Sequence, residues 1–164
     1  QMNDPMNDDP TSDGTTVTHG NRTVSVSRVI PAPASAIFAV LRSPAGHARI
    51  DGSGTVVEAK AGQPELLELG SRFGMSMKMG VPYGIKNEVV EFEPDRRIAW
   101  RHFGRHRWRY ELEPVDGGTR VTETFDWSTA LVPKAIELMG YPTKHVPSME
   151  KTLARLAEVA TATA

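Results

Sequence analysis

The feature that most constrains the fold is a stretch, residues 73 to 127, in which large apolar residues alternate with polar or small ones. Trp108 and Tyr110, for example, alternate with Arg107 and Arg109, and the same period of two returns in three further runs. Successive side chains of a strand point to opposite faces, so each run predicts a strand with one apolar face. A large part of the chain is therefore expected to form one sheet.

Short glycine-containing segments separate these runs. Gly104 lies between two runs, and Asp116-Gly117-Gly118 precedes the last one. Such segments are typical of hairpin turns, so the strands are expected to form an antiparallel meander. The period fails at Val89 and Val90, where we expect a bulge.

The flanking segments predict the remaining elements. Alternation predicts a strand over residues 23–30, and helical spacing predicts short helices over 34–41 and 44–49. An amphipathic helix is expected to begin at Ser148, with Met149 and Leu153 on its apolar stripe. The fold class is therefore predicted to be α+β, with helices on one side of an antiparallel sheet.

Composition limits the other possibilities. The chain has 164 residues, no cysteine and a formal net charge of −1, which favours one domain and excludes disulfides, thiolate metal sites and a cysteine nucleophile. The first 22 residues are polar and are expected to be a disordered tail, followed by a domain over 23–164. The sequence contains no apolar run of the roughly 20 residues that span a bilayer and no signal peptide, so we expect a cytoplasmic protein.

Four sequence segments resemble a known family. They are Val29-Ile30-Pro31-Ala32-Pro33 leading into Ile37-Phe38, the loop from His47 to Gly54, and the runs 108–112 and 118–127. Together they resemble the polyketide cyclase/dehydrase branch of the START-related, birch-pollen-allergen-like superfamily. The resemblance implies a helix-grip fold, in which a curved seven-stranded antiparallel sheet wraps around the long terminal helix and leaves an apolar cavity.

The candidate ligand-binding residues are those expected to face this cavity. Methionine is adaptable and suits a surface that accepts varied apolar shapes, although the same residues would also simply fill a core. The entrance is expected near His47 and Asp51, and a structural role for Asp51 in its turn is the alternative. The other candidates are Phe73, Met75, Met77, Met79, Trp100, Trp108, Phe125, Trp127, Met149 and Leu153.

The candidate catalytic residues are Glu123, His102 and Tyr110, which strand alternation places on the same face as the tryptophans. A buried carboxyl group has a raised pKa unless it is paired, so these three side chains could exchange protons with a substrate carbonyl. The alternatives are a polar anchor for a ligand and a carboxyl group that is merely satisfied by its neighbours.

Residues 96 to 109 include six arginines. RNA-binding sheets expose aromatic side chains beside basic ones, whereas here alternation places the two sets on opposite faces, so we expect no nucleic-acid partner. The sequence contains no phosphate-binding glycine loop, dinucleotide-binding glycine pattern, serine nucleophile elbow or paired histidine motif. No metal or other cofactor is therefore expected.

These observations predict a protein that binds a small hydrophobic molecule of lipid, polyketide or aromatic type in an internal cavity, without chemistry. Two alternatives remain open at this point. One is a cyclase or dehydratase that uses the candidate catalytic residues, and the other is a protein-interaction module with a filled core. A homodimer is also left open.

Overall fold

The structure is a computed structural model that describes residues 9–10, 14–52, 56–59, 64–79, 81–102 and 104–162. The strands are β1 (Asp9–Pro10), β2 (Thr16–Gly20), β3 (Thr23–Ile30), β4 (Val56–Ala59), β5 (Arg72–Met79), β6 (Val81–Glu93), β7 (Arg97–Arg101), β8 (Arg107–Val115) and β9 (Gly118–Asp126). The helices are α1 (Ala34–Leu41), α2 (Pro44–Ile50), α3 (Pro133–Leu138) and α4 (Tyr141–Ala162).

All described strands form one antiparallel sheet in the order β1-β2-β3-β9-β8-β7-β6-β5-β4. The seven strands β3 to β9 are the curved sheet that the family resemblance implies, and the α+β fold class is confirmed. The bulge expected near Val89 and Val90 is confirmed, because the pairing of β6 with β7 shifts between Val89 and Glu91.

The pair β1–β2 extends this sheet beyond β3 and corrects the expected boundary at residue 23. Residues 16 to 20 were assigned to the tail, but Val17 pairs with Val26 and Gly20 with Thr23. Arg22, in the turn, takes a left-handed φ of 55°. Strand pairing satisfies the backbone of this polar segment, so it orders without a large apolar content of its own.

The first two helices lie where the sequence predicts them. Ser43 caps α2, since its Oγ accepts the N–H of Gly46 at 3.2 Å, and Pro44 occupies the first turn, where a missing N–H is tolerated. None of the helices in the described ranges combines the length and apolarity that crossing a bilayer requires.

The terminal helix is longer than predicted. It begins at Tyr141 rather than Ser148 and contains Pro147 in its interior. Proline removes one helical N–H, which is why a start after it was expected. The helix continues because its apolar stripe is held in the core, where Met149 and Leu153 are buried.

The core lies between the inner face of the sheet and the helices. Helix α4 packs against β3 and β9, α1 against β8, and α2 against β4. Inner-face side chains on the central strands are almost fully buried, among them Ile98, Tyr110, Leu112, Val121 and Phe125. The alternation in the sequence therefore assigned these residues to the correct face.

The opposite, outer face of β6, β8 and β9 carries a network of ion pairs. Arg109 contacts Glu91 at 2.9 Å and Asp126 at 3.2 Å, and Arg107 contacts Glu91 at 2.9 Å. These side chains are between 10% and 27% exposed, so they shield one another from water. Carboxylates thus neutralise much of the arginine-rich face.

A tight contact joins the loop after α2 to the middle of α4. The N–H of Gly52 donates to Oγ1 of Thr152 at 2.9 Å, and Arg155 donates to the carbonyl oxygen of Asp51. A Cβ on Gly52 would collide with the carbonyl oxygen of Ser148 and lie 2.6 Å from the N of Thr152. Only glycine allows the loop to approach the helix so closely.

We therefore expect Gly52→Ala to destabilise the fold by about 1 to 3 kcal/mol, since backbone atoms of α4 would have to move. Urea unfolding followed by circular dichroism measures the effect. Gly20→Ala is the matched control, because the nearest atom to its Cβ is Oγ1 of Thr23, the end of a side chain that can rotate. Equal stability of the two variants would contradict the proposed role of the contact.

Candidate functional site

Five aromatic side chains form a row on the inner face of the sheet, which we call the aromatic wall: Trp100, Trp108, Tyr110, Phe125 and Trp127. Their rings contact one another in two groups. Trp100 stacks on Tyr110 with centroids 5.6 Å apart, Trp108 lies 4.8 Å from Phe125, and Phe125 stacks on Trp127 at 5.6 Å. The strand register makes this row, because Trp100 pairs with Trp108 and Trp108 with Phe125.

The five rings of the wall differ in exposure. Tyr110, Phe125 and Trp127 are at most 8% exposed, as befits core residues. Trp100 and Trp108 remain partly accessible, although they lie on the same inner face. The helices therefore leave a region beside β7 and β8 where large apolar rings still reach solvent.

A buried carboxyl group lies next to the wall. Glu123 pairs with Tyr110 in the register of β8 and β9, and the Tyr110 hydroxyl donates a hydrogen bond to its carboxyl group. Glu123 is 3% exposed, and its Oε2 has no hydrogen-bond partner among the described residues. The sequence prediction that these two side chains lie together is confirmed.

Burial determines the protonation of this pair. It raises the pKa of Glu123 from 4.5 to about 8, the bond from Tyr110 partly offsets that rise, and the negative charge of Asp51 adds to it. Burial and the carboxyl group of Glu123 likewise raise the pKa of Tyr110. At neutral pH, Glu123 is therefore mainly a carboxylic acid that can donate a hydrogen bond.

The third expected member of this cluster lies elsewhere. His102 follows β7 and packs against His106, with ring centroids 4.3 Å apart. Both lie beyond the Trp100–Trp108 pair, and His106 is four residues before Tyr110 along the chain. His102 therefore does not complete the Tyr110–Glu123 cluster, and Asp51 is the titratable group that interacts with it instead.

Two histidines that sequence reasoning did not select lie at this end of the wall. His106 packs 5.3 Å from Phe125, and His145 of α4 packs 4.7 Å from Phe125 and 5.0 Å from Trp108. The alternation of β8 already placed His106 on the inner face, but an expected helix start at Ser148 concealed His145.

The expected entrance residue His47 is part of the core. It is 8% exposed, and it stacks on Trp100 at 4.4 Å and meets Phe73 edge-on at 5.3 Å. Its Nε2–H donates to the carbonyl oxygen of Leu41, and burial lowers its pKa to about 4. His47 is therefore neutral, and its ring stacks on the ring of Trp100.

The remaining candidate ligand-binding residues divide into two groups. Phe73, Met149 and Leu153 are at most 2% exposed and belong to the core cluster. Met75, Met77 and Met79 lie on β5, where Met75 pairs with Ile85, but their side chains fall outside the described part of the structure. Their ligand-binding role stays a prediction.

A cleft of about 440 Å³ opens at β5, β6 and the end of β7. By strand alternation, most of its residues lie on the outer face, opposite to buried Phe73. Phe73, Asn87 and His102 line it from the inner face. The expected internal cavity stays a prediction. The cleft is lined by Arg72, Phe73, Gly74, Lys86, Asn87, Glu88, Arg101 and His102.

Metal binding has no geometric support in the described ranges. No three His, Cys, Asp or Glu side chains there converge in a way that could hold an ion. The polar groups around the aromatic wall can donate and accept hydrogen bonds or transfer protons.

Comparison with known proteins agrees with this architecture. Residues 21–161 match the family model described as polyketide cyclase/dehydrase and lipid transport. An uncharacterized protein of Mycobacterium tuberculosis strain H37Rv is 38% identical over 150 residues, which are 88% of this chain and 66% of that protein. The chain thus spans slightly less than two thirds of the length of that relative.

Solved structures support the fold. A Rhodobacter sphaeroides protein is 21% identical and has a TM-score of 0.68, with 90% of this chain and 98% of that chain covered. A Mycobacterium smegmatis protein is 18% identical with a TM-score of 0.67, at 90% and 98% coverage. At these identities the likeness establishes the fold alone.

The raised pKa of Glu123 predicts a specific dependence of stability on pH. Between about pH 4.5 and 8 the folded protein retains a proton that the unfolded chain releases, so the free energy of unfolding falls as pH rises. This group alone should lower it by about 1 kcal/mol from pH 7 to pH 8.

Urea unfolding of Glu123→Gln at both pH values tests this, since the amide keeps the shape and cannot ionise. The histidines with lowered pKa act mainly below pH 6.5, and their smaller, opposite contribution above pH 7 is the same in both proteins, so the difference between the wild type and Glu123→Gln reports Glu123. Glu111→Gln, an exposed position on β8, is the control and should behave like the wild type. A wild-type slope retained in Glu123→Gln would show that Glu123 is already ionised.

Proposed function

The chain belongs to the polyketide cyclase/dehydrase and lipid transport family, and from that membership we propose that it binds a small hydrophobic molecule without chemistry of its own. The proposed site lies between the helices and the inner face of the sheet, beside Trp100 and Trp108. The partial exposure of these two rings is the observation that carries the proposal.

The contacts of the two tryptophans support this role. A large ring at the inner face of a sheet is normally buried by the layer packed on it. Here His47 stacks on Trp100 and His145 meets Trp108 edge-to-face, yet both tryptophan rings keep accessible surface. An apolar guest that covers them would remove that surface from water and gain about 25 cal/mol per Å².

The surroundings of the wall suit an apolar guest. Burial keeps His47 neutral and Glu123 mainly protonated at pH 7, so the inner face carries little charge near the rings. The free Oε2 of Glu123 provides one polar group that could fix the orientation of the guest. Such a combination of apolar walls with few polar groups is typical of small-molecule sites.

We expect the neutral dye Nile red to bind the protein with a rise in its fluorescence, and Trp108→Ala to weaken this binding by about ten-fold, or about 1.4 kcal/mol. Trp108→Phe keeps an apolar ring and should retain most of the affinity. Val29→Ala removes apolar surface from an exposed position on β3 and serves as the control. Unchanged affinity in Trp108→Ala would contradict the proposed site.

A second candidate function rests on the Tyr110–Glu123 pair. A protonated carboxyl group that keeps an unused Oε2 inside an apolar site can protonate a carbonyl oxygen, and Tyr110 is positioned to stabilise the carboxylate left behind. This is the chemistry a cyclase or dehydratase requires, so we keep proton transfer to a bound carbonyl compound as the alternative.

Solvent exchange provides a test of this alternative without a known substrate. In D₂O, protonation of the carbonyl oxygen by the pair should accelerate the loss of a proton from the neighbouring carbon of a hydrophobic β-keto ester to solvent water. The deuterium that replaces it is followed by proton NMR. Glu123→Gln should abolish the acceleration, and Glu111→Gln should preserve it. Equal exchange with Glu123→Gln and the wild type would exclude this role for Glu123.

A further inference from the structure

Three imidazole rings lie near Trp108 and Phe125 of the aromatic wall, and we call them the imidazole cluster: His102, His106 and His145. His102 and His106 flank the turn between β7 and β8, with their rings perpendicular at 4.3 Å. His145 reaches the same region from α4 through its contacts with Trp108 and Phe125. Tyr141, which is 38% exposed, stacks on the outer side of His145 at 5.7 Å.

The cluster has an unfilled hydrogen-bonding position. Nδ1 of His106 is buried and has no hydrogen-bond partner among the described residues. A buried polar atom without a partner costs roughly 1 to 3 kcal/mol, so it is rare unless a ligand or water satisfies it. His106 lies two residues before Trp108 in the sequence and packs 5.3 Å from Phe125, whose ring contacts Trp108, one of the two partly exposed rings of the proposed site.

Two carboxylates near His106 and His145 among the described residues are paired with other groups. Glu137 of α3 is held by Arg22 at 3.0 Å and by Nε1 of Trp127 at 2.9 Å. Asp126 is held on the outer face by Arg109 at 3.2 Å. The charged residues next to the three histidines in the sequence are all basic, namely Arg101, Arg105, Arg107 and Lys144.

The outer cleft adds to the positive charge at this end of the molecule. His102 lines both the cluster and the cleft, and the cleft carries Arg72, Lys86 and Arg101 against one carboxylate, Glu88. Glu88 is shared between Arg72 at 3.6 Å and Arg101 at 3.8 Å. A local excess of positive charge concentrates anions near it, even though the whole chain is nearly neutral.

We propose that the imidazole cluster binds the carboxylate of a hydrophobic acid whose apolar part lies against Trp100 and Trp108. This inference rests on the proposed function and specifies its ligand class. The carboxylate fills the unused hydrogen-bonding position of His106 and pairs with its imidazolium form. The apolar part covers the exposed ring surface.

The protonation of the cluster then changes on binding. In the free protein, burial lowers the pKa of His102 and of His145 to about 4, and it lowers the pKa of His106 as well. Neighbouring imidazoles add to this effect for His102 and His106. A bound carboxylate favours the imidazolium form, so binding takes up a proton from solution near neutral pH.

The test compares dodecanoic acid with methyl dodecanoate, which differ only in the acidic group. Affinities are measured by displacement of Nile red at pH 6, 7 and 8, where the free acid is ionised throughout. Because binding is coupled to proton uptake, the affinity of the acid should fall by up to about ten-fold per pH unit, whereas that of the ester should stay constant.

Variants assign the effect to the cluster. His106→Phe keeps a ring and removes the polar atom, so it should abolish the pH dependence for the acid and leave binding of the ester intact. Unchanged ester binding also shows that this variant folds. His19→Asn, at an exposed position on β2, is the control and should retain the wild-type slope.

A measurement on the wild type avoids substitutions altogether. Addition of dodecanoic acid should raise the pKa of at least one of the three imidazoles from its lowered value to near or above 7 in a proton NMR titration, and the ester should not. If the acid and the ester bind with the same flat pH profile, the carboxylate site is wrong while the hydrophobic site stands. If neither displaces Nile red, or Nile red does not bind, the hydrophobic site fails as well.

Discussion

The structure depends on the mismatch between a wide sheet and the few helices that cover its inner face. Nine strands at about 4.8 Å each span about 40 Å, whereas one helix covers about 10 Å. Helix α4 packs on β3 and β9, and the two short helices reach β8 and β4. Trp100 and Trp108 lie between these contacts, and this is why their rings keep accessible surface where a core would be expected.

The same arrangement separates two kinds of polar group along the aromatic wall. The Tyr110–Glu123 pair lies on one side of the Trp100–Trp108 pair along the strands, and the imidazole cluster lies on the other side. Burial suppresses charge at both ends, because an ion there would lose its hydration. The site that results is apolar along its length and can hydrogen-bond at each end. That pattern suits a guest with a hydrophobic body and polar termini.

The outer face of the sheet, in contrast to the inner face, carries charged side chains. Its arginines are partly buried as ions because carboxylates on neighbouring strands pair with them, as Glu91 pairs with Arg107 and Arg109. Strand alternation thus separates a charged face from an apolar one within the same strands.

Sequence periodicity was sufficient for the elements that local residues determine. The strand over 23–30, the helix over 34–41 and the inward direction of Tyr110 and Glu123 all followed from spacing and proline positions. Alternation gives the face of a side chain but not its distance from others along the sheet. His102 was therefore placed beside Glu123, although the turn at Gly104 pairs it with His106.

Long-range contacts decided the remaining elements. Residues 16–20 are ordered by pairing with β3, which their own composition does not indicate. Helix α4 passes through Pro147 because the core holds Met149 and Leu153, and this brings His145 to the wall. The imidazole cluster joins residues from two distant parts of the chain, so no local pattern could reveal it.

The location of a bound guest tests the account most directly. Isotope-filtered nuclear Overhauser spectroscopy, with unlabelled dodecanoic acid and protein labelled with ¹³C, identifies the side chains within about 5 Å of the ligand. The account predicts contacts from the alkyl chain to the rings of Trp100 and Trp108, and from the methylene next to the carboxylate to His106. Contacts confined to the exposed apolar residues of 131–141, or to the outer cleft, would contradict it.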